Sequence, residues 1–140
     1  MNAEILCLET EGAILDLLEL HLTDRLGGEV TRESTLEGAQ KKLSESSYDL
    51  LTMSLAFPVH NREDHKFGFG GLTFLQELRN GSCGARASEM PVLVLSGAKN
   101  LQEMVKDSIS PLGNTRTMAK PFSVVALTKL IEEILDAAKP

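Results

Sequence analysis

No cluster of lysine and arginine interrupts this sequence, no apolar run approaches bilayer length, and the two cysteines have no metal-like spacing. Each absence removes a class of function. Binding nucleic acid by phosphate neutralisation needs grouped basic residues, and a chain with 20 acidic against 14 basic side chains, net −6, does not group them. A membrane-spanning helix takes about 20 apolar residues. The opening MNAEILCLETEG also lacks the basic start and long apolar core of a signal peptide. The expectation is a cytoplasmic protein with no nucleic-acid and no membrane partner. Cys7 lies in an apolar run and Cys83 in a Gly/Ser-rich one, so both read as reduced thiols, Cys7 as a small core residue. Repeats, low-complexity tracts and linkers are missing as well. The 140 residues therefore read as one domain, 1–140, large enough to bury a core unaided.

What is present is alternation. Five short apolar runs, EILCL (4–8), EVT (29–31), YDLLTMS (48–54), PVLVLS (91–96) and TRTMA (115–119), are separated by segments of helical period. That order predicts a parallel sheet with helices on both faces, and the continuous VLVL suits a strand covered on both sides. Ile14, Leu15, Leu17, Leu18, Leu22 and Leu26 form the stripe of a first helix, stopped by Gly27–Gly28. Ser34 or Thr35 caps a second that turns Leu36, Ala39 and Leu43 inward, and a third runs from 71 with Leu72, Leu75 and Leu78. A fourth from Asn100 carries Leu101, Met104 and Val105. Ser123 caps a last one, with Leu127, Leu130, Ile131, Ile134 and Leu135 facing the core.

Two polar, glycine-bearing stretches, 59–71 and 81–89, read as loops, the first an insertion at the rim of the sheet. The first holds His60, Glu63, Asp64 and His65, whose spacing matches no structural zinc pattern and reads as a solvated loop. Its FGFGG lacks dinucleotide-fingerprint spacing, so Phe67 and Phe69 are expected to pack the loop onto the body. Neither Ser54 nor Ser96 sits in a nucleophile elbow, and His21 reads as a surface residue of the first helix, which argues against a hydrolase.

In an open parallel sheet, ligands bind beyond the carboxyl ends of the strands. Those ends here present Glu9, Thr10 and Glu11, then Ser54, Ser96 and Lys120. An acid, two hydroxyls and a lysine converging would suit phosphate handling, with carboxylates for Mg²⁺; ordinary rim polarity is the alternative that spacing alone leaves open.

The whole chain outside the two loops resembles a response-regulator receiver domain. AEILCLETEG resembles the family's opening strand and acidic pair, YDLLTMSLAFP its phosphoacceptor strand, MPVLVLSGA its fourth strand and AKPF its lysine-proline turn. The resemblance implies a flavodoxin-like (βα)5 fold, a three-layer αβα sandwich with strand order 2-1-3-4-5. It implies that Lys120 is the lysine that contacts the phosphoryl group, that Ser96 is the reorienting Ser/Thr, and that Glu9 is the first residue of the acidic pair. Thr10 then stands where a metal-binding acid is expected, Thr117 where a switching aromatic often is, and Ser54 in place of the phosphoacceptor aspartate.

A serine hydroxyl is a weak nucleophile without an adjacent base, and a site that has lost two acids holds Mg²⁺ poorly. The expectation is a degenerate, non-catalytic receiver with no cofactor, Glu9 and Glu11 being the weak Mg²⁺ candidates, in which Lys120 pairs with Glu9. It would signal through protein contacts, with a signalling protein as partner and a homodimer through the face of helix four, strand five and helix five as the family's common mode. No DNA-binding domain is expected within these residues. The alternatives are a Mg²⁺-dependent switch using a displaced acceptor such as Asp49, or a small-molecule sensor at the vacated acidic pocket.

Overall fold

Strands without a polar face have to be covered on both sides, and this chain does so with helices packed on each face of one sheet. The computed structural model describes residues 3–55, 57–58, 67–68, 70–97 and 113–137. Its elements run β1 (Glu4–Leu8), α1 (Gly12–Leu26), β2 (Glu29–Glu33), α2 (Leu36–Glu45), β3 (Leu50–Ser54), β4 (Phe57–Pro58), β5 (Phe67–Gly68), α3 (Gly70–Arg79), α4 (Ala85–Ser88), β6 (Val92–Ser96), β7 (Thr115–Ala119) and α5 (Val124–Ala137). The main sheet has order β2-β1-β3-β6-β7, every neighbour parallel, which is the 2-1-3-4-5 order of a flavodoxin-like sandwich.

The two-residue period of a strand divides the core. Leu6 and Leu8 of β1, Leu51 and Met53 of β3, and Val92 and Val94 of β6 face one way, against Ala39 and Leu43 of α2 and Phe74, Leu75 and Leu78 of α3. The intervening Ile5, Cys7, Leu50, Leu93 and Leu95 face the other way, against Leu15, Leu18, Leu22 and Leu26 of α1 and Leu127, Ile131, Ile134 and Leu135 of α5. Each fully buried leucine contributes about 1.5–3 kcal/mol relative to exposure, so these two layers supply the main driving force of the fold. Burial also pushes the Cys7 thiol up to about 11, which leaves it a neutral, inert core side chain. Among the described residues no helix is long and apolar enough to cross a membrane.

Local signals set the helix ends. Thr35 caps α2 by accepting from the Gly38 amide at 3.0 Å. Gly27 ends α1 in the left-handed region at φ 61°, where a side chain would be strained. The Ser123 hydroxyl accepts from the Ala126 amide at the start of α5.

The structure corrects the sequence reading in several places. The stretch 81–89 is not wholly loop: Gly84, at φ 104°, turns the chain into the short helix α4, whose Ser88 hydroxyl donates back to the Ala85 carbonyl at 2.6 Å. The insertion ends earlier than 71, because α3 begins at Gly70 and Phe67–Gly68 pairs antiparallel with Phe57–Pro58. β2 continues past Thr31 to Glu33, with Arg32 paired to Cys7 and Glu33 to Leu8. Residues 59–66, including His60, Glu63, Asp64 and His65, lie outside the described residues. So do Phe69, the side chain of Phe67, and the helix expected from Asn100 with Leu101, Met104 and Val105.

Arg79, at the end of α3, ties the starts of β6 and β7 together. Its Nη1 donates to the Ser88 and Met90 carbonyls (3.1 and 2.7 Å), and its Nη2 to the Asn114 carbonyl and Thr115 Oγ1 (2.9 and 3.0 Å). Burial lowers its pKa. Four neutral oxygens thus hold the two terminal nitrogens without a carboxylate and fix the segment 85–90 against the sheet, while the buried Nε has no partner among the described residues.

Candidate functional site

Parallel strands deliver their carboxyl ends to one edge, and here two backbone bonds extend that edge beyond the last paired residues. The Glu9 amide donates to the Glu33 carbonyl at 3.0 Å, and the Lys120 amide to the Ser96 carbonyl at 2.8 Å. Glu9 and Lys120 are thereby pinned at opposite sides of the β3 terminus, and their side chains meet. Lys120 Nζ donates to Glu9 Oε1 at 2.5 Å and to Glu11 Oε1 at 3.1 Å. The side chain of Glu9 is 3% exposed and that of Lys120 14%, while Glu11 is 60% exposed. The first contact is therefore a buried ion pair, and the second a solvent-screened supplement.

The second oxygen of Glu9, Oε2, accepts from the Thr10 amide at 3.0 Å, which fixes the carboxylate before any ligand arrives. Glu11 is the residue before α1, and no side-chain bond caps that helix. Its carboxylate is turned to Lys120 instead. Lys120 itself precedes Pro121 through a cis peptide bond at the end of β7.

Of the residues singled out from the sequence, Glu9, Glu11 and Lys120 are in direct contact. Ser54 and Ser96 are both buried at the ends of the adjacent strands β3 and β6. Thr10 contributes its backbone amide, with an exposed side chain. Thr117 is half-buried in the middle of β7, in register with Val94 rather than at the strand end. Asp49 is at the other edge of the sheet, where its Oδ2 accepts from the Glu4 amide at 2.8 Å and its own amide donates to the Glu4 carbonyl at 2.7 Å. His21 is half-buried on α1.

Sequence reasoning missed Glu33. At the end of β2 it accepts from the Ser34 and Thr35 amides, from Thr35 Oγ1 and from Lys42 Nζ, the last at 2.6 Å. Burial opposes its charge, but the Lys42 ammonium and the Thr35 amide and hydroxyl outweigh that and hold its pKa below 4.5. Gly38 makes room for it: a Cβ there would lie 2.3 Å from the Glu33 carboxyl carbon. A glycine inside a helix costs about 0.5–1 kcal/mol, and in the sequence it was the available signal of such a close approach.

The sign of the linkage is clear. A carboxylate whose folded pKa is depressed stabilises the fold above its unfolded value, and the contribution is lost as pH falls through the folded value. Glu33→Gln is expected to lower stability by about 1 kcal/mol near neutrality, the pair with Lys42 being partly exposed. In urea titrations the gap to the natural protein should narrow once the pH drops below 4.5. A gap that does not change with pH would show that the charge of Glu33 is irrelevant.

Gly71 completes the site. Its amide donates to the Leu55 carbonyl at 3.2 Å, and a Cβ at this position would lie 2.5 Å from the Ser54 carbonyl oxygen. The first turn of α3 thus rests directly on the main chain that carries Ser54.

No family model and no curated protein matches the chain. Solved structures do. The receiver domain of a sensor histidine kinase from Pseudomonas aeruginosa PAO1, crystallised with a magnesium ion coordinated in its active site cleft, superposes with a TM-score of 0.74 at 21% identity, covering 97% of this chain and 99% of that one. The receiver domain of a Francisella response regulator gives 0.77 at 17% identity, covering 99% and 100%. A chemotaxis response regulator of Vibrio cholerae gives 0.75 at 21% identity, covering 96% and 99%. What this chain shares with these proteins, nearly end to end, is the receiver-domain fold.

Proposed function

We propose that the protein is a signal-transduction receiver module of a two-component or phosphorelay system that works without phosphorylation, through contacts with a signalling protein in the cytoplasm. The observation that carries this reading is the Lys120 ammonium held between Glu9 and Glu11. In a phosphorylatable receiver a carboxylate nucleophile and a divalent cation share this edge. Here the strand-end residue is Ser54, whose hydroxyl needs a base to attack phosphorus. Both neighbouring acids already bind an ammonium, and Thr10 and Ser54 bring no further charge. This donor set does not fit a magnesium ion of the kind coordinated in the Pseudomonas domain.

The site then serves as a fixed structural contact, not a catalytic centre, and the module holds one conformation. Asp49 does not replace the missing acceptor, because it is bonded to the Glu4 backbone at the opposite edge. Thr117, small and mid-strand, has no ring to swing. The proposed partner surfaces are the faces of α1 and α5 and of the fourth helix expected from Asn100, which lies outside the described residues; a homodimer would use the face of that helix, β7 and α5.

The test is intact-protein mass spectrometry after incubation with Mg²⁺ and a small acyl phosphate, with Ser54→Asp in parallel. The natural protein should gain no phosphoryl group. Labelling of the variant alone would assign the loss to Ser54, and labelling of neither would assign it to the ion pair as well. A phosphoryl group on the natural protein would overturn the proposal.

A further inference from the structure

The edge of the sheet opposite the ion pair, where β3 and β6 begin, carries a cleft of about 270 Å³ between the end of α2 and α4. Leu43, Ala87 and Met90 supply buried apolar surface, and Tyr48 is half-buried beside them. The mouth is polar. Arg86 on α4 donates from Nη1 to the Ser47 hydroxyl on the other wall, so the two walls are bridged by a cation and a neutral oxygen. Among the described residues no carboxylate pairs with Arg86, although Glu45 borders the same cleft. A guanidinium has five N–H donors, and among the described residues Arg86 uses one of them, on Ser47.

The walls are also fixed in advance. Arg79 holds the Ser88 and Met90 carbonyls, and the Cys83 thiol donates to the Gln40 carbonyl at 3.7 Å, which ties the α4 side to α2. A preformed cleft, the usual form of a small-ligand site, avoids the cost of ordering its walls on binding. A single cation at the mouth, an apolar floor and a small volume together select a ligand with one negative charge and a short apolar body. A carboxylate fits best, because its two oxygens match the guanidinium fork.

We propose that this cleft binds a small organic carboxylate, with its charge on Arg86 and its apolar body over Leu43, Ala87 and Met90. It is a separate site from the Glu9–Lys120 pair, at the other end of the same strands, and does not depend on how that pair is read. In a chain with net charge −6, general electrostatics disfavour anions, so any affinity has to come from this local arrangement.

The experiment uses the full chain, ¹⁵N-labelled, titrated with benzoate and, in parallel, with neutral benzamide of the same shape. Benzoate should move the backbone amides of 44–48 and 83–87 saturably while leaving those of Ser54 and Ser96 in place, and benzamide should not saturate. Arg86→Gln, an exposed position whose folding the same spectra report, should weaken benzoate about tenfold, the equivalent of one charge-assisted hydrogen bond. Failure of benzoate to saturate by about 20 mM, a concentration that reports even millimolar affinity, would overturn the proposal. So would equal binding of benzamide, or an unchanged affinity in Arg86→Gln.

Discussion

Lys120→Met should lower folding stability by about 4 kcal/mol, because it leaves the Glu9 carboxylate buried without its cation. Glu9 cannot rotate into water: one oxygen is bonded to the Thr10 amide, and the side chain is 3% exposed. Two further variants separate this effect from loss of the lysine stem. Glu11→Gln removes only the exposed contact and should change stability by less than about 1 kcal/mol. Lys120→Met combined with Glu9→Gln removes both charges and should recover most of the loss, since an uncharged pair in a buried position is often as stable as the ion pair it replaces. Urea unfolding of these variants, of Glu9→Gln alone and of the natural protein completes the double-mutant cycle and gives the coupling energy directly. Additive losses in the double variant would mean that Glu9 and Lys120 do not depend on each other, and the account of a fixed site would fail with them.

The second large effect is expected at Gly71, where alanine should lower stability by about 3 kcal/mol, the upper range for inserting a carbon into a packed contact. The atoms it would meet are main chain: the Ser54 carbonyl oxygen at 2.5 Å, the Leu55 Cα at 2.7 Å and the Leu55 carbonyl carbon at 3.1 Å. A flexible side chain can swing aside, but these atoms belong to the segment that leaves β3, so either α3 or that segment has to shift. Gly12→Ala is the control. It lies in the first turn of α1 with nothing within 4 Å of the added carbon, so it should be neutral or stabilising by up to about 1 kcal/mol. Thermal unfolding gives the ranking, and amide shifts at Ser54 and Leu55 show whether the pocket strand moved. Equal effects at Gly71 and Gly12 would mean that α3 is free to back away from the sheet.

The two effects act on the same place from different sides. The ion pair joins the ends of β1 and β7 across the β3 terminus, and α3 rests on the chain just after Ser54. Sequence exposed these features unevenly. The strands were legible because burial on both faces leaves unbroken apolar runs, as in VLVL, and the helices because their leucines recur at helical spacing. Thr35 and Gly27 were legible because capping is local. Glu9, Ser54, Ser96 and Lys120 could be assigned to one edge because a parallel sheet sends every strand's end the same way.

Arg79, Glu33 and the cleft were not legible, since their meaning lies in partners distant along the chain. Arg79 reaches Thr115 across 36 residues, and a lone arginine at a helix end looks like any solvated one. Glu33 was not legible because the strand signal EVT stops at Thr31, so nothing local marks Glu33 as the acid at the end of β2. Residues 81–89 were read as loop because their glycines and serines outweighed the four residues of α4, whose helix is held in place by tertiary bonds from Arg79 more than by its own propensity.

By itself, then, the sequence determined the layers, the carboxyl ends of β1, β3, β6 and β7, and a serine rather than a carboxylate at position 54, all of which follow from residue type and period. Tertiary structure alone decided that Lys120 closes on Glu9 from 111 residues away, that α3 touches the Ser54 backbone, and that a cleft opens at the far edge. The physical reason is that burial and period are properties of a segment, whereas an ion pair, a close approach or a cavity exists only between segments, and folding alone sets the distance between them.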